Sequence, residues 1–185
     1  MPLASIPFKS PAAFDLPSAV SEPIREARQD EAAHAALELL SQLDAGDAMA
    51  IAFVDARGGM RLEAVYGATP DAERALREWN WDLEAALSSQ DAFGKAVLEA
   101  HPVLFMGDLH RDDTGPLAPS FKAYLLGHAS QAALGFLYAY PLPGPADKAV
   151  GALIIHRTLA AGPLNHDQPA IVQAIALLLG EAATL

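Results

Sequence analysis

Three aromatic side chains at alternate positions are the residues of this sequence best suited to binding a small molecule. Phe136, Tyr138 and Tyr140 lie in the run FLYAYPL, and a spacing of two places side chains on one face of a β-strand. A tyrosine combines an apolar ring with a hydroxyl that orients a ligand. We therefore predict that these residues line a pocket and that Tyr138 in particular faces it, although ordinary core packing explains the pattern equally well.

A group of polar residues follows a short strand predicted at residues 103 to 106. Asp108, His110 and Arg111 belong to this group, and the glycine and prolines that follow indicate a loop. Two interpretations stay open: a solvated loop, or a lid in which His110 or Arg111 contacts an anionic or hydrogen-bonding group of a ligand. No metal-binding motif supports the histidine and aspartates, so we predict no metal site.

Three further residues complete the predicted ligand-binding set. Phe53 lies on the bulky face of an early strand, Trp79 lies in a helical segment, and His128 follows Gly127 near the end of a short helix. For Trp79, packing in the core competes with stacking on a ligand. No serine lies in a GxSxG context and no glycine-rich phosphate loop occurs, so we predict that the chain is not an enzyme.

Composition excludes several classes of function. The 185 residues fit a single domain, and a net charge of −11 with no basic run argues against nucleic-acid binding. Without cysteine there is no disulfide, thiolate metal site, cysteine nucleophile or thioether-linked chromophore. No run approaches the roughly 18 apolar residues of a membrane span, and the first residues lack a signal-peptide pattern, which predicts a cytoplasmic protein.

Helices are predicted towards both ends of the chain. Residues 1 to 20 hold four of the 14 prolines and read as an arm, whereas residues 21 to 185 are predicted to form the domain. A helix is predicted from Ser21 to Gly46, and its apolar stripe either packs on its own domain or forms a dimer. The last helix opens with Asn165 and Gln168 in a capping-box arrangement.

Five strands are predicted between these helices, at residues 48 to 55, 61 to 67, 103 to 106, 134 to 142 and 149 to 157. The last two form a central hairpin, because both are apolar on both faces and the PGPADK connection between them cannot continue a ladder. This order of elements predicts an α+β fold with a mainly antiparallel sheet.

The first predicted strand has one small face and one bulky face. Ala48, Ala50 and Ala52 alternate with bulky residues that include Phe53. Since short side chains let helices approach closely, we predict that the terminal helices pack against the alanines. The bulky side chains, and the aromatic side chains of residues 134 to 140, are then expected to face the opposite layer.

Four segments in order resemble signature segments of the GAF domain family: GKAVLEAHPVLFMGDL, FLYAYPL, KAVGALIIHR and the helix after LNHDQ. The resemblance covers roughly residues 30 to 185. It implies a five- or six-stranded antiparallel sheet with the terminal helices on one face and pocket-forming helices and loops on the other. It also implies a small-molecule-sensing module of the kind found in signalling proteins.

Departures from specialised members limit what the resemblance implies. Members that carry bilin attach it through a cysteine, and the free methionine sulfoxide reductases of this fold need catalytic cysteines, so both activities are excluded here. The Asn-Lys-Xn-Phe-Xn-Asp-Glu pattern of cyclic-nucleotide-binding members is absent. Some members ligate haem through a histidine, but His128 has no second feature to support this, and we predict no cofactor.

We expect a sensory or regulatory domain that binds an unidentified small molecule and relays the change through its terminal helices. The expected setting is a homodimer within a bacterial signalling or transcription-regulatory system, with an output domain as a further partner. A ligand-free dimerisation or partner-docking scaffold is the alternative. A cavity lined by the aromatic strand favours sensing, whereas side chains that fill it favour the scaffold.

Overall fold

The computed structural model describes residues 4–5, 16–26, 28–54, 60–70, 73–74, 77, 103–108, 134–158 and 160–184. Within them, a six-stranded antiparallel sheet has the order β1-β4-β5-β6-β2-β3. The strands are β1 (Ala4–Ser5), β2 (Ala48–Val54), β3 (Met60–Gly67), β4 (Val103–Asp108), β5 (Leu134–Pro143) and β6 (Ala149–Thr158). The helices are α1 (Ser18–Glu26), α2 (Gln29–Gln42) and α3 (Gln168–Ala182). The α+β class and the antiparallel sheet are therefore confirmed.

The predicted central hairpin is present as β5 and β6. Strand β6 pairs with β5 on one side and with β2 on the other, so it has neighbours along both edges. A short 3-10 turn at Pro145–Asp147 joins the two strands, and the Gly144 amide donates to the Lys148 carbonyl at 2.8 Å. Both faces of β6 are buried along most of its length, which explains why its sequence is apolar throughout.

The first helical segment differs from its prediction, because the chain forms two helices instead of one. Arg28 is extended, with φ −66° and ψ 160°, and separates α1 from α2. The Glu31 carboxylate accepts a hydrogen bond from the Arg28 amide at 3.4 Å, which provides α2 with its own N-terminal cap. Helix propensity alone predicts continuity here, since every residue around Arg28 favours a helix.

The start of α1 also differs from its prediction. Ser21 does not begin the helix, because α1 starts at Ser18 and the Ser21 amide donates to the Pro17 carbonyl at 3.1 Å. Two residues of the predicted arm, Ala4–Ser5, add a short strand to the edge of the sheet beside β4.

The terminal helices all pack on one face of the sheet, as predicted. Helix α3 contacts β5 and β6, α2 contacts β2 and β3, and α1 contacts both other helices. We call this side of the sheet the helix face. Its buried strand residues are Met49, Ile51, Phe53, Phe136, Tyr138, Tyr140, Leu142, Leu153 and Ile155, and they share one core with Ile24, Leu40, Val172, Ile175 and Leu179.

The opposite side, which we call the alanine face, is formed by Ala48, Ala50, Ala52, Ala139 and Ala152 together with Ile154 and His156. The prediction that the helices pack against these alanines is therefore wrong. The physical reason lies in the helices, because α2 itself supplies the small residues at this contact: Ala32, Ala33 and Ala36 are fully buried. Close packing pairs large side chains with small ones, so the bulky side chains of the strands fill the space beside an alanine-rich helix.

Helix α3 approaches the sheet most closely at Gly180. A Cβ atom added to this glycine would lie 2.1 Å from the Pro143 carbonyl oxygen and 2.9 Å from the Pro143 nitrogen. The backbone of α3 thus lies directly against the backbone at the end of β5. Only a residue without a side chain fits this contact.

Candidate functional site

The predicted ligand-binding residues fall into two groups in the structure. Phe53, Phe136, Tyr138 and Tyr140 lie in the described strands. Asp108 ends β4, two residues beyond the predicted end of that strand, and its backbone pairs with Leu134. The other four predicted residues, Trp79, His110, Arg111 and His128, lie outside the described residues.

Tyr138 lies on the helix face and not on the side away from the terminal helices. Its ring is 5% exposed, and its hydroxyl oxygen accepts a hydrogen bond from the Leu164 amide at 3.0 Å. Leu164 belongs to the segment that connects β6 with α3. The prediction that Tyr138 lines a pocket opposite the helices is therefore wrong, because this residue anchors the approach to α3.

Three other aromatic residues of the predicted set, those in the described strands, share this position. Phe53, Phe136 and Tyr140 belong to the same core as the terminal helices, and none is more than 8% exposed. Burial raises the pKa of Tyr140 well above its ordinary value, and the neighbouring Tyr138 raises it further. A hydroxyl that stays neutral at physiological pH suits a packed core. These residues therefore contribute to the packing of the helix face, which was the alternative interpretation of their spacing.

The alanine face is the side of the described sheet that carries the small side chains of β2, β5 and β6. Its five alanines are each no more than 1% exposed, and α1, α2 and α3 all lie on the other side of the sheet. Apart from Ile154, the side chains of this face are short over three adjacent strands, β5, β6 and β2, and they keep its surface close to the backbone. This surface is apolar and matches the apolar lining that small-molecule sites usually have.

His156 supplies a polar group at one end of the alanine face. The residue is 3% exposed and pairs with Ala48 across the β2–β6 ladder. An imidazole donates and accepts hydrogen bonds, so it can orient a ligand on an otherwise apolar surface. His156 was not among the ligand-binding residues predicted from the sequence. Its even spacing from Ala152 and Ile154 was the available signal that it shares their face.

Two further properties of the described residues bear on function. No group of three or more His, Asp or Glu side chains converges there in a way that suits a metal ion. Among the described helices, none combines the length and the apolar character that a membrane span requires.

Comparison with known proteins identifies relatives by structure only. No protein-family model matches the sequence, and a search of curated proteins finds no match. The GAF domain/HD domain protein from Geobacter sulfurreducens matches with a TM-score of 0.64 at 18% identity, over 85% of this chain and 93% of that one. Residues 122 to 287 of a methyl-accepting chemotaxis protein match with a TM-score of 0.62 at 14% identity, over 88% and 93% of the two chains.

A third match is a domain of a putative two-component sensor histidine kinase from Sinorhizobium meliloti 1021. Its TM-score is 0.52 at 20% identity, and the match covers 82% of this chain and 87% of that one. Several other matched structures are also described as GAF domains. The similarity extends over most of the chain and establishes its fold as that of a GAF domain.

Proposed function

We propose that this chain, which has the GAF fold, is a sensory or regulatory domain that binds a small molecule over its alanine face and relays the change through α1, α2 and α3. The observation that carries the proposal is the division of the sheet into two unlike sides. All three terminal helices lie on the helix face, while the alanine face carries five alanines, Ile154 and one imidazole. The matched chemotaxis and histidine-kinase structures support a role in bacterial signal transduction.

The composition of the alanine face suggests the kind of ligand. Five methyl groups and the Ile154 side chain make an apolar surface across three strands, and His156 adds a hydrogen-bonding group at one end. This arrangement suits a ligand with an apolar or aromatic body and one polar group. The strand residues of the helix face are mostly large, and they pack in one core with the helices.

Alternation along the strands gives the proposed relay its physical basis. Ala50 belongs to the alanine face, and the next residue, Ile51, is fully buried in the core shared with the helices. A ligand that displaces β2 or β6 from one side therefore changes the packing on the other side. The size of the change in helix packing is set by the difference in the ligand's affinity for the packing arrangements before and after the displacement.

A ligand-free scaffold that dimerises or docks a partner is the second candidate. One observation favours it, namely that the alanines of the alanine face are already buried without a ligand. In both candidates we place the domain in the cytoplasm as a homodimer joined through its terminal helices.

A thermal-shift screen tests the first candidate against the second. The probes are nucleotides, small organic acids, aromatic compounds and inorganic anions, each added to the purified chain. A specific ligand at 100 times its Kd adds about 2.7 kcal/mol of stability. For a chain of this size that raises Tm by about 5 to 11 °C. We expect the shift to come from compounds with an apolar body.

Two variants show where a ligand acts. Ala50→Val adds bulk on the alanine face and is expected to reduce the ligand-induced shift, whereas His34→Ala alters an exposed residue of α2 and is expected to leave it unchanged. The shift is compared within each variant, because added bulk in a packed site lowers the starting Tm. If no probe class stabilises the wild-type chain, the scaffold is favoured. If Ala50→Val leaves the full shift, the ligand binds elsewhere.

A further inference from the structure

A buried polar junction joins the end of β6 to both α2 and α3. Arg157 is 4% exposed, although its side chain carries a full positive charge. Its Nε donates to the Gly162 carbonyl at 2.7 Å and its Nη2 to the Ala161 carbonyl at 2.9 Å. Its Nη1 donates to the Asp44 carbonyl, which lies more than a hundred residues away in the sequence. One guanidinium thus holds the turn after α2 and the loop before α3.

Gln168 closes the same junction from the first turn of α3. It is 6% exposed, and its Nε2 donates to the Leu43 carbonyl at 2.6 Å and to the Asp44 carbonyl at 3.3 Å. The last carbonyls of a helix have no partner within it and carry partial negative charge. Arg157 and Gln168 therefore bind the carbonyls of the turn that directly follows α2 from a distant part of the chain, and Asp44, at φ 50°, turns the chain at this point.

The junction is one residue away from the alanine face. Arg157 directly follows His156, whose carbonyl accepts a hydrogen bond from the Asp47 amide at 2.9 Å. The Asp47 carboxylate accepts a second one from the Thr158 amide at 2.6 Å. Residues on both sides of Arg157 are thus tied to the segment that leads from α2 into β2, so a displacement of β6 at His156 also displaces the Arg157 side chain.

We infer that Arg157 and Gln168 form a latch through which a displacement of β6 reaches the junction of α2 and α3, an inference that rests on the relay in the proposed function. Among the described residues, every hydrogen bond of the guanidinium goes to a backbone carbonyl, so the latch holds the position of the chain independently of neighbouring side chains. Arg157 is a positioning residue that couples the sheet to the terminal helices. The planar fork of an arginine is needed, because a lysine amine cannot reach three acceptors in this geometry.

Hydrogen exchange followed by mass spectrometry tests the latch without any ligand. Ala152→Val serves as the perturbation, because Ala152 lies on the alanine face of β6. In the wild-type background we expect it to raise exchange at residues 43 to 46 and 161 to 164 by at least about threefold. In the Arg157→Lys background the same substitution is expected to change exchange there by less than about 1.5-fold. Arg28→Lys, at an exposed arginine, is the matched control and is expected to keep the full response.

A second variant covers the case in which Arg157→Lys does not fold. Gln168→Glu keeps the side-chain oxygen that accepts a hydrogen bond from the Asn165 amide. It replaces the Nε2 group, which donates to the Leu43 and Asp44 carbonyls, with an oxygen that can only accept. It is expected to weaken the response to Ala152→Val at residues 43 to 46. An equal response in the latch variants and in the wild type would overturn the inference, as would no response in the wild type. A negative ligand screen leaves this test intact, so the latch and the proposed ligand site fail separately.

Discussion

Removing one hydroxyl tests the placement of β5 against the terminal helices. Tyr138→Phe keeps the ring and its packing but deletes the acceptor of the hydrogen bond from the Leu164 amide. Leu164 is 8% exposed, so its amide is left without an acceptor where water does not readily replace it. A buried donor that loses its partner costs about 1–3 kcal/mol. For a chain of 185 residues, this corresponds to a fall in Tm of about 2–12 °C.

The matched control is Tyr140→Phe, which changes the same residue type on the same face of the same strand. Tyr140 is also 5% exposed, but its hydroxyl forms no hydrogen bond within the part of the chain that the structure describes. We therefore expect it to lower the free energy of unfolding at neutral pH by less than Tyr138→Phe does. Urea and thermal unfolding of the three proteins measure the difference, and hydrogen exchange at Leu164 is expected to rise only in Tyr138→Phe.

Two outcomes would refute this reasoning. Equal stability of the two phenylalanine variants would mean that the Tyr138 hydroxyl does not hold the segment before α3. If Tyr138→Phe abolished a ligand-induced Tm shift but kept the free energy of unfolding of the wild type, Tyr138 would line the ligand pocket that the sequence predicted.

Three further predictions concern the other contacts of the helix face. Gly180→Ala is expected to lower the free energy of unfolding by about 1–3 kcal/mol in urea titrations, because the added methyl group meets the Pro143 carbonyl. An unchanged free energy of unfolding would contradict the close contact between α3 and the end of β5. Burial raises the pKa of Tyr140, so the unfolded chain loses the hydroxyl proton at a lower pH than the folded chain does. The free energy of unfolding therefore falls as pH rises above about 10, by up to about 1.4 kcal/mol per pH unit. Unfolding measured from pH 9 to 11.5 is expected to show a smaller fall in this free energy for Tyr140→Phe than for the wild type. Asn165→Ala, which removes the acceptor for the Gln168 amide, is expected to cost about 0.5–2 kcal/mol, whereas Asn165→Asp keeps that acceptor and most of the stability.

Local signals in the sequence predicted the central hairpin and the hydrogen bonds before the last helix. Proline and glycine at residues 143 to 145 predicted the turn between β5 and β6, and the structure has this hairpin at the centre of the sheet. Asn165 and Gln168 exchange the two hydrogen bonds of a capping box, at 2.8 and 3.2 Å, as their spacing predicted. Such signals act over a few residues, so a single sequence contains all the information that they need.

The orientation of the sheet depends on contacts that a single strand does not contain. Alternation showed that β2 has a small face and a bulky face, but which side meets the helices depends on the helices as well. The fully buried Ala33 and Ala36 of α2 belong to the apolar stripe seen in the sequence, and their small size was the signal for bulky partners. The aromatic residues of β5 were assigned to the wrong side for the same reason. The latch at Arg157 was also missed, since its acceptors are carbonyl groups that every residue has.

The separation of β2, β5 and β6 into two unlike faces has a consequence for how such a domain can evolve. Tyr138 and Tyr140 hold the helix side, while Ala139 between them contributes only a methyl group to the other side. Exchanges among small residues at the alanine positions act first on one face, whereas the aromatic core lies on the other face of the same strands. Selection therefore has one set of positions that belongs to the alanine face and a separate set that forms the contacts with the terminal helices.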